Sequence, residues 1–598
     1  MRSGPILLCD FYSYLISHIF SVSLTHQFKC HELFIFRPFP ANQMMYRTIV
    51  VLIIVCASAP AFISCRKEVP ESPPHVTVTS KNELIVYLDS LEHRYEHAAW
   101  LVGRANWHSY AKDAPYNLDS AKAELAAVVA DSTTRNIVDE WKGRSDALAD
   151  KMLARRLELW HRVCIGGFIY VDPRIASLEN RLQQIITNFN FRLNGVPTTR
   201  AKIGVQLQHE TVSRRRHELW SIPSQLSSVV SHDLVMLVTL RNEKAAHFGY
   251  SNYYSLTLSL NSIDEEWLIK TLTLLEEQTR SPFERFVTAS SKKLHLKKIG
   301  PWDLDYALHE YGTIPDKFFP ADSMFPALHR FERGIGFPVD SLPIKEYVKD
   351  IPYGGLNLAI DIPGDTRFLV NPIQGQRFYA VAFHEYGHAL KAVNTHVEYP
   401  IFKGYEWIPG AQCSAYEEGV AEMHAEFIDD SLWLAAVLHI KPKQIEKYIA
   451  GRGMMGIYRL RRTMKDFFIE YEMYKNPRQD IAVLERTMMK KFLFVDLDST
   501  EAPQYASSIW YVSYPCYYHN YIMASMIATQ LQEALSNKFG EDKIKNPNVA
   551  AWMIDHLYAN GEKQEWTERI RNATGKGLEP GALLRKLVAA PSQIINGE

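Results

Sequence analysis

The segment Ala380–Leu390, A-V-A-F-H-E-Y-G-H-A-L, constrains this chain more than any other stretch. It carries His384, Glu385 and His388 in the order H-E-x-x-H. On an α-helix, positions i and i+4 share a face, so both imidazoles can reach a single ion. Phe378, Tyr379, Val381, Ala382, Phe383, Ala389 and Leu390 make the helix apolar nearly all round, which predicts that it is buried. Buried imidazoles and a buried carboxylate need partners, and a metal ion supplies them. Glu385, beside the first histidine, is placed to take a proton from the attacking water.

A catalytic zinc takes three protein ligands and keeps a fourth position open. The third is expected downstream, in S-A-Y-E-E-G-V-A-E-M-H-A-E-F, Ser414 to Phe427. This segment reads as a helix carrying Glu417, Glu418, Glu422, His424 and Glu426 among small and apolar residues. Glu418 and Glu422 are four apart, so one can bind metal while the other holds a histidine ligand by its second ring nitrogen.

Charge excludes one class of partner. With 66 basic and 67 acidic residues in 598, no nucleic-acid-binding surface is suggested. A 47% hydrophobic content supports a large core. The N-terminus reads as a leader over 1–65, with a start at Met44 or Met45 equally consistent. Arg47, an apolar run from Ile49 to Ala57 and small residues before Cys65 form a secretion signal, too short for a membrane span. The ending F-I-S-C resembles a bacterial lipobox, in which Cys65 would be lipidated; the alternative is an ordinary cysteine after a cleaved signal. An exported, lipid-anchored monomer is the expectation. Residues 66–80, rich in Pro and Ser, read as a tether, and 81–598 as one domain. Of the cysteines, Cys164, Cys413 and Cys516 remain in the body, which allows one bridge at most.

Apolar spacing predicts helices over Glu83–Arg104, Leu118–Ala130, Ser145–Arg162, Glu265–Ser290, Pro442–Tyr474 and Arg478–Phe494, with loops over Asn194–Thr199 and Gly312–Asp322. Tyr353 to Pro372 breaks this rhythm and predicts two short strands around the turn Pro363-Gly364-Asp365. Such a hairpin either closes the floor of a cavity or offers an edge to an extended peptide. Further on, Ser507 to Met526 is dense in tyrosine. Tyr518 and Tyr521 are three apart and can aim two hydroxyls at one point, as oxyanion stabilisation requires.

In this order the segments resemble the zinc peptidase family of angiotensin-converting enzyme, and the related family of thimet oligopeptidase and oligoendopeptidase F. The motifs carrying the resemblance are Leu240 to Tyr254 (L-R-N-E-K-A-A-H-F-G-Y-S-N-Y-Y), the strand T-R-F-L-V-N-P, the H-E-x-x-H helix and Tyr416 to Glu422. The resemblance implies a mostly α, two-lobed helical metallopeptidase with a deep central channel and a small β element beside the zinc helix. It implies Zn2+ held by His384, His388 and Glu418, with Glu422 behind a histidine ligand. It further implies Glu385 as general base, Tyr518 and Tyr521 as substrate and oxyanion contacts, and short peptides as substrates.

Four positions depart from those families. The interval from His388 to Glu418 is longer, so a loop is inserted. Ile509 and Tyr511 replace a substrate-binding lysine and histidine, which weakens the case for dipeptide release. Asn520 replaces an arginine that helps to bind chloride. Lys391 stands where the second family carries a further histidine. An oligoendopeptidase specificity and a peptide-binding lipoprotein without turnover are the alternatives.

Overall fold

Ser80 starts the ordered fold by capping its first helix. Its hydroxyl accepts from the Glu83 amide at 3.3 Å while the Glu83 carboxylate accepts from the Ser80 amide at 3.1 Å. This reciprocal cap satisfies amides that have no partner within the helix, which runs from Lys81 to Ala111. The computed structural model describes residues 77–588, apart from 310, 352, 353, 373 and 374. The leader 1–65, with Cys65, and residues 66–76 of the tether lie outside the described residues. The last tether residues are packed rather than free. Val78 is buried and its carbonyl accepts from Trp141 Nε1 at 3.2 Å.

The architecture is the mostly helical one expected from the spacing, with helices Leu118–Val129, Glu265–Lys293, Pro442–Lys475 and Ile481–Leu493. Two expectations shift. Ser145–Leu148 is a separate 3-10 turn, and a new helix, Lys151–Tyr170, begins where Asp150 accepts from the Leu153 amide at 3.1 Å. The expected loop at Asn194–Thr199 is half strand. Asn194 and Gly195 adopt positive φ and join β1 (Phe191–Leu193) to β2 (Val196–Thr198) in a tight hairpin.

The second sheet has three strands. β3 (Ile344–Val348) runs parallel to β5 (Asp365–Val370), and β4 (Gly355–Asp361) runs antiparallel to β5, in the order β3-β5-β4. The β4–β5 hairpin was expected. β3 escapes sequence reading because its polar alternation is short and its partner is distant. Among the described residues β4 pairs only with β5, so its other side is a sheet edge.

Two large apolar cores account for two lobes. One gathers Leu84, Leu88, Leu91, Trp160 and neighbours with Ile401, Phe402 and Tyr405. The other is built around Phe383, Tyr416, Met464 and Met526. The 34-residue helix Pro442–Lys475, about 51 Å long, runs through the second lobe. Polar links join the lobes. Arg162 pairs with Glu565 at 2.6 Å, and Arg155 Nε donates to the Glu562 carbonyl at 2.8 Å. Cys164, Cys413 and Cys516 are buried free thiols. Among the described residues no helix is long and apolar enough to cross a membrane.

Candidate metal centre

The H-E-x-x-H residues lie on a helix, Gln376–Val393, whose surface is almost entirely covered. His384 and Glu385 are each about 5% exposed. The helix packs against β4, so that a side chain at Gly355 would come within 3.0 Å of the Glu385 side chain. On another face it crosses the helix Ser414–Ala425 at very short range. A Cβ on Gly387 would lie 3.0 Å from the Ala421 Cα, and a Cβ on Gly419 would meet Ile527 at 2.6 Å. Gly387 lets the motif helix and the glutamate helix close on one another, and Gly419 lets the glutamate helix close on the helix that carries Ile527.

His384, His388 and Glu418 each direct one ligand atom to a common point, all within 4.8 Å of one another. His384 Nε2 lies 3.5 Å from Glu418 Oε2, and on the opposite ring edge His384 Nδ1 lies 3.5 Å from Glu422 Oε2. Two ligands at about 2.0–2.2 Å from a tetrahedral zinc stand roughly 3.4 Å apart, so the donor types and the His384–Glu418 separation suit such an ion. The Glu422 carboxylate meets the ring nitrogen that faces away from Glu418, which fixes tautomer and orientation. The Tyr517 hydroxyl donates to Glu418 Oε1 at 3.0 Å.

Charge at the site follows from this enclosure. Burial opposes a proton on His384, but Glu418 and Glu422 outweigh it and push its pKa up to about 10. Burial, reinforced by the His384 charge, takes His388 down to about 3. Glu418 is lowered to about 2: burial works against it, and His384 and the Tyr517 hydroxyl prevail. Burial pushes Glu385 up to about 7, the neighbouring His384 charge acting against it. A bound cation would draw Glu385 back down.

Glu417, the third candidate carboxylate, faces away from this point. It pairs with the buried Lys391 at 2.9 Å. Lys391 thus holds the residue next to Glu418.

In the tyrosine segment Tyr518 and Tyr521 line the cavity beside Glu418, and Tyr517 joins them at the centre. Tyr518 turns to Ser508, with 3.1 Å between the two hydroxyl oxygens. Tyr517, just before the helix Tyr518–Phe539, reaches Glu418 instead. Tyr521 stacks edge-on against Tyr517 with ring centres 5.3 Å apart. Tyr517 and Tyr521 are four apart, so helical spacing allows this pair as well as the pair Tyr518 and Tyr521. Ile509 and Tyr511 are both buried, and both line the same cavity as Tyr518 and Tyr521. That cavity, about 1250 Å³, opens from Glu418 and Glu422 and is also lined by Arg459, Arg462 and Lys465.

Arg241, from the L-R-N-E segment, sets the approach to this helix. Fully buried, it donates to the Tyr511 carbonyl at 2.8 Å and to the Tyr474 hydroxyl at 3.0 Å. Nearby, Glu470 accepts from the Cys516 amide at 2.8 Å, where Cys516 holds a left-handed φ of 57°. Burial pushes the Glu470 pKa up to about 8, against the pull of that amide and of Arg241. The fold therefore prefers Glu470 protonated. Its stabilising share is full below the unfolded value near 4.5 and is lost as pH rises toward 8. Melting temperature measured from pH 5 to pH 8 is expected to fall more steeply for the parent than for Glu470→Gln. Parallel curves would refute this account.

No protein-family model and no curated protein matches the sequence. Solved structures do match the fold. Trypanosoma cruzi metallocarboxypeptidase 1 aligns with a TM-score of 0.59 at 13% identity, over 85% of this chain and 99% of its own. The M32 carboxypeptidase of Deinococcus radiodurans R1 aligns at 0.60 and 12% identity, over 86% and 99%. The Pyrococcus furiosus carboxypeptidase aligns at 0.60 and 12%, over 86% and 100%. The chain therefore has the mostly helical metallopeptidase fold. These neighbours are metallocarboxypeptidases, whereas the motifs had pointed to the angiotensin-converting enzyme and thimet oligopeptidase families.

Proposed function

We propose that this chain is a zinc-dependent peptidase of short peptides. The observation that carries the reading is the convergence of buried His384 with half-buried His388 and Glu418 beside Glu385, at the mouth of a cavity of about 1250 Å³. Zinc, when held by these three residues, polarises the scissile carbonyl and lowers the pKa of the nucleophilic water toward neutrality. Glu385 takes the proton of the attacking water and returns it to the departing amine. Glu422 keeps the His384 ring oriented, and the Tyr517 hydroxyl keeps Glu418 oriented. Tyr521, packed against Tyr517, is the hydroxyl assigned to the developing oxyanion, while Tyr518 supports the cavity wall through Ser508. The free edge of β4 lies against the motif helix and can pair with an extended peptide.

Removal of residues from the C-terminus is the mode favoured over internal cleavage. The cavity contains Arg459, Arg462 and Lys465, and guanidinium and ammonium groups are what a free carboxylate binds. The similar solved proteins also carry the name carboxypeptidase. Export and a lipid at Cys65 belong to the same proposal, on the strength of residues 44–65. Metal analysis with mass spectrometry of products from peptides of graded length tests the reading. One equivalent of zinc and stepwise loss from free-acid peptides, with amidated peptides cleaved poorly, are expected. Internal cuts insensitive to amidation would favour the oligoendopeptidase reading. Peptides left intact for hours by the zinc-loaded protein would favour a binding protein.

A further inference from the structure

One part of the large cavity is apolar, and its walls come from elements that carry none of the metal-binding residues. Ile203 and Leu207 stand four apart on one face of the helix Arg200–His209. Met489 and Leu493 stand four apart on the helix Ile481–Leu493, and Leu460 comes from the long helix Pro442–Lys475. Trp220 completes this chamber. Gln504 ties two of its sides together. Its amide donates to Glu485 Oε2 at 2.9 Å, one turn before Met489, and its Nε2 donates to the Trp220 carbonyl at 2.8 Å.

The chamber adjoins the basic residues that line the same cavity. Leu460 lies between Arg459 and Arg462 in the chain, and Lys465 is about 7.5 Å further along the same helix axis. The carbonyl of the next residue, Asp466, accepts from the Tyr511 hydroxyl at 3.3 Å, and the Tyr511 and Tyr518 rings stand 5.7 Å apart. A substrate carboxylate held by Arg459, Arg462 and Lys465 would therefore set the side chain of its own residue beside Leu460.

The acidic groups at the edge of the chamber are engaged. Asp305 accepts from the Tyr458 hydroxyl at 2.9 Å, Glu485 accepts from the Gln504 amide, and Asp466 pairs with Lys465 at 2.7 Å. Gln208 is not. It follows Leu207 in the chamber wall and is only 3% exposed. Among the described residues its carboxamide forms no hydrogen bond. An enclosed carboxamide without a partner favours a ligand that brings one.

We infer that this chamber receives the side chain of the substrate's C-terminal residue and selects a large aromatic one. Gln208 bonds a hydroxyl at the tip of that side chain, so tyrosine is preferred. The inference deepens the peptidase reading and rests on it for the identity of the ligand, but binding can be read without turnover.

The test uses the zinc-loaded protein carrying Glu385→Gln, so that peptides remain intact, in competition against a fluorescent peptide. The competitors are N-acetylated tetrapeptides that differ only in a C-terminal Tyr, Phe, Ala or Lys. Phe is expected to bind about tenfold or more tighter than Ala, as burial of its ring implies. Tyr is expected to bind about fivefold tighter than Phe, the gain of one hydrogen bond. Moving Tyr to the penultimate position, with Ala last, should lose both gains. Gln208→Leu should abolish the advantage of Tyr over Phe, and Ile203→Trp, which fills the chamber, the advantage of Phe over Ala. The peptide series and Gln208→Leu decide the matter even where Ile203→Trp fails to fold. The inference is overturned if Ala matches Phe, if Lys binds more tightly than Phe, or if the gains follow Tyr to the penultimate position. It is overturned equally if Tyr keeps its advantage in Gln208→Leu, or Phe keeps its own in folded Ile203→Trp. Failure of the peptidase reading would show separately, as absence of cleavage by the protein with Glu385 intact.

Discussion

Glu385→Gln is expected to lower peptide cleavage by about two or more orders of magnitude while zinc content stays near that of the parent. The exchange keeps shape and volume and removes only the capacity to accept a proton. Zinc retention follows from geometry, because the three converging ligand atoms belong to His384, His388 and Glu418. Folding should also survive. Among the described residues Glu385 is buried without an ion pair, so a neutral amide removes a charge that burial already disfavours. Cleavage of a quenched peptide library, read beside metal stoichiometry on the same samples, checks the claim. Equal activity in variant and parent would sink the assignment of the general base, and with it the reaction proposed here.

The parts of the site that were legible in the sequence are those governed by helical geometry. The spacing of His384 and His388, and of Glu418 and Glu422, fixes shared faces whatever the rest of the chain does. Both pairs occupy the positions that spacing implies, with Glu422 meeting the far nitrogen of His384. What was not legible depends on where one element meets another. Gly387 and Gly419 read as ordinary small residues until the helix that crosses at each one shows why a Cβ there has no room. Lys391 could be noticed only as a missing histidine; its pairing with Glu417 requires the glutamate helix to be placed.

The tyrosines illustrate the same limit at a finer scale. Helical spacing allows Tyr518 with Tyr521, and equally Tyr517 with Tyr521, because both three and four residues bring side chains together. The choice is made by the turn before the helix, where Arg241 holds the Tyr511 carbonyl and Glu470 holds the Cys516 amide. Those contacts span hundreds of residues for Arg241 and dozens for Glu470. They set the rotation with which the helix begins, so that Tyr517 faces Glu418 and Tyr518 faces Ser508. The helical character and the small hairpin, by contrast, needed only local periodicity, whereas the metallopeptidase architecture was implied by the resemblance.

Replacing the three carboxylates of the glutamate helix one at a time should give three different results. Glu418→Ala is expected to lose zinc outright, since two histidines alone leave the ion with too few protein ligands. Glu422→Ala should weaken zinc roughly ten- to a hundredfold, through a His384 ring no longer held at Nδ1. Glu417→Ala should keep zinc, because adjacent residues on a helix point about 100° apart and Glu417 is turned toward Lys391. Its cost appears in stability instead. Lys391 is only about 4% exposed, and removing one partner of a buried ion pair costs about 3–5 kcal/mol. Metal stoichiometry and melting temperature should therefore separate the trio: Glu418→Ala fails the first, Glu417→Ala the second, and Glu422→Ala only a competitive zinc titration. Stoichiometric zinc in Glu418→Ala, with metal lost from Glu417→Ala, would shift the register of this helix by one residue. The Tyr517 hydroxyl provides an internal control, because it meets Glu418 only in the register described here.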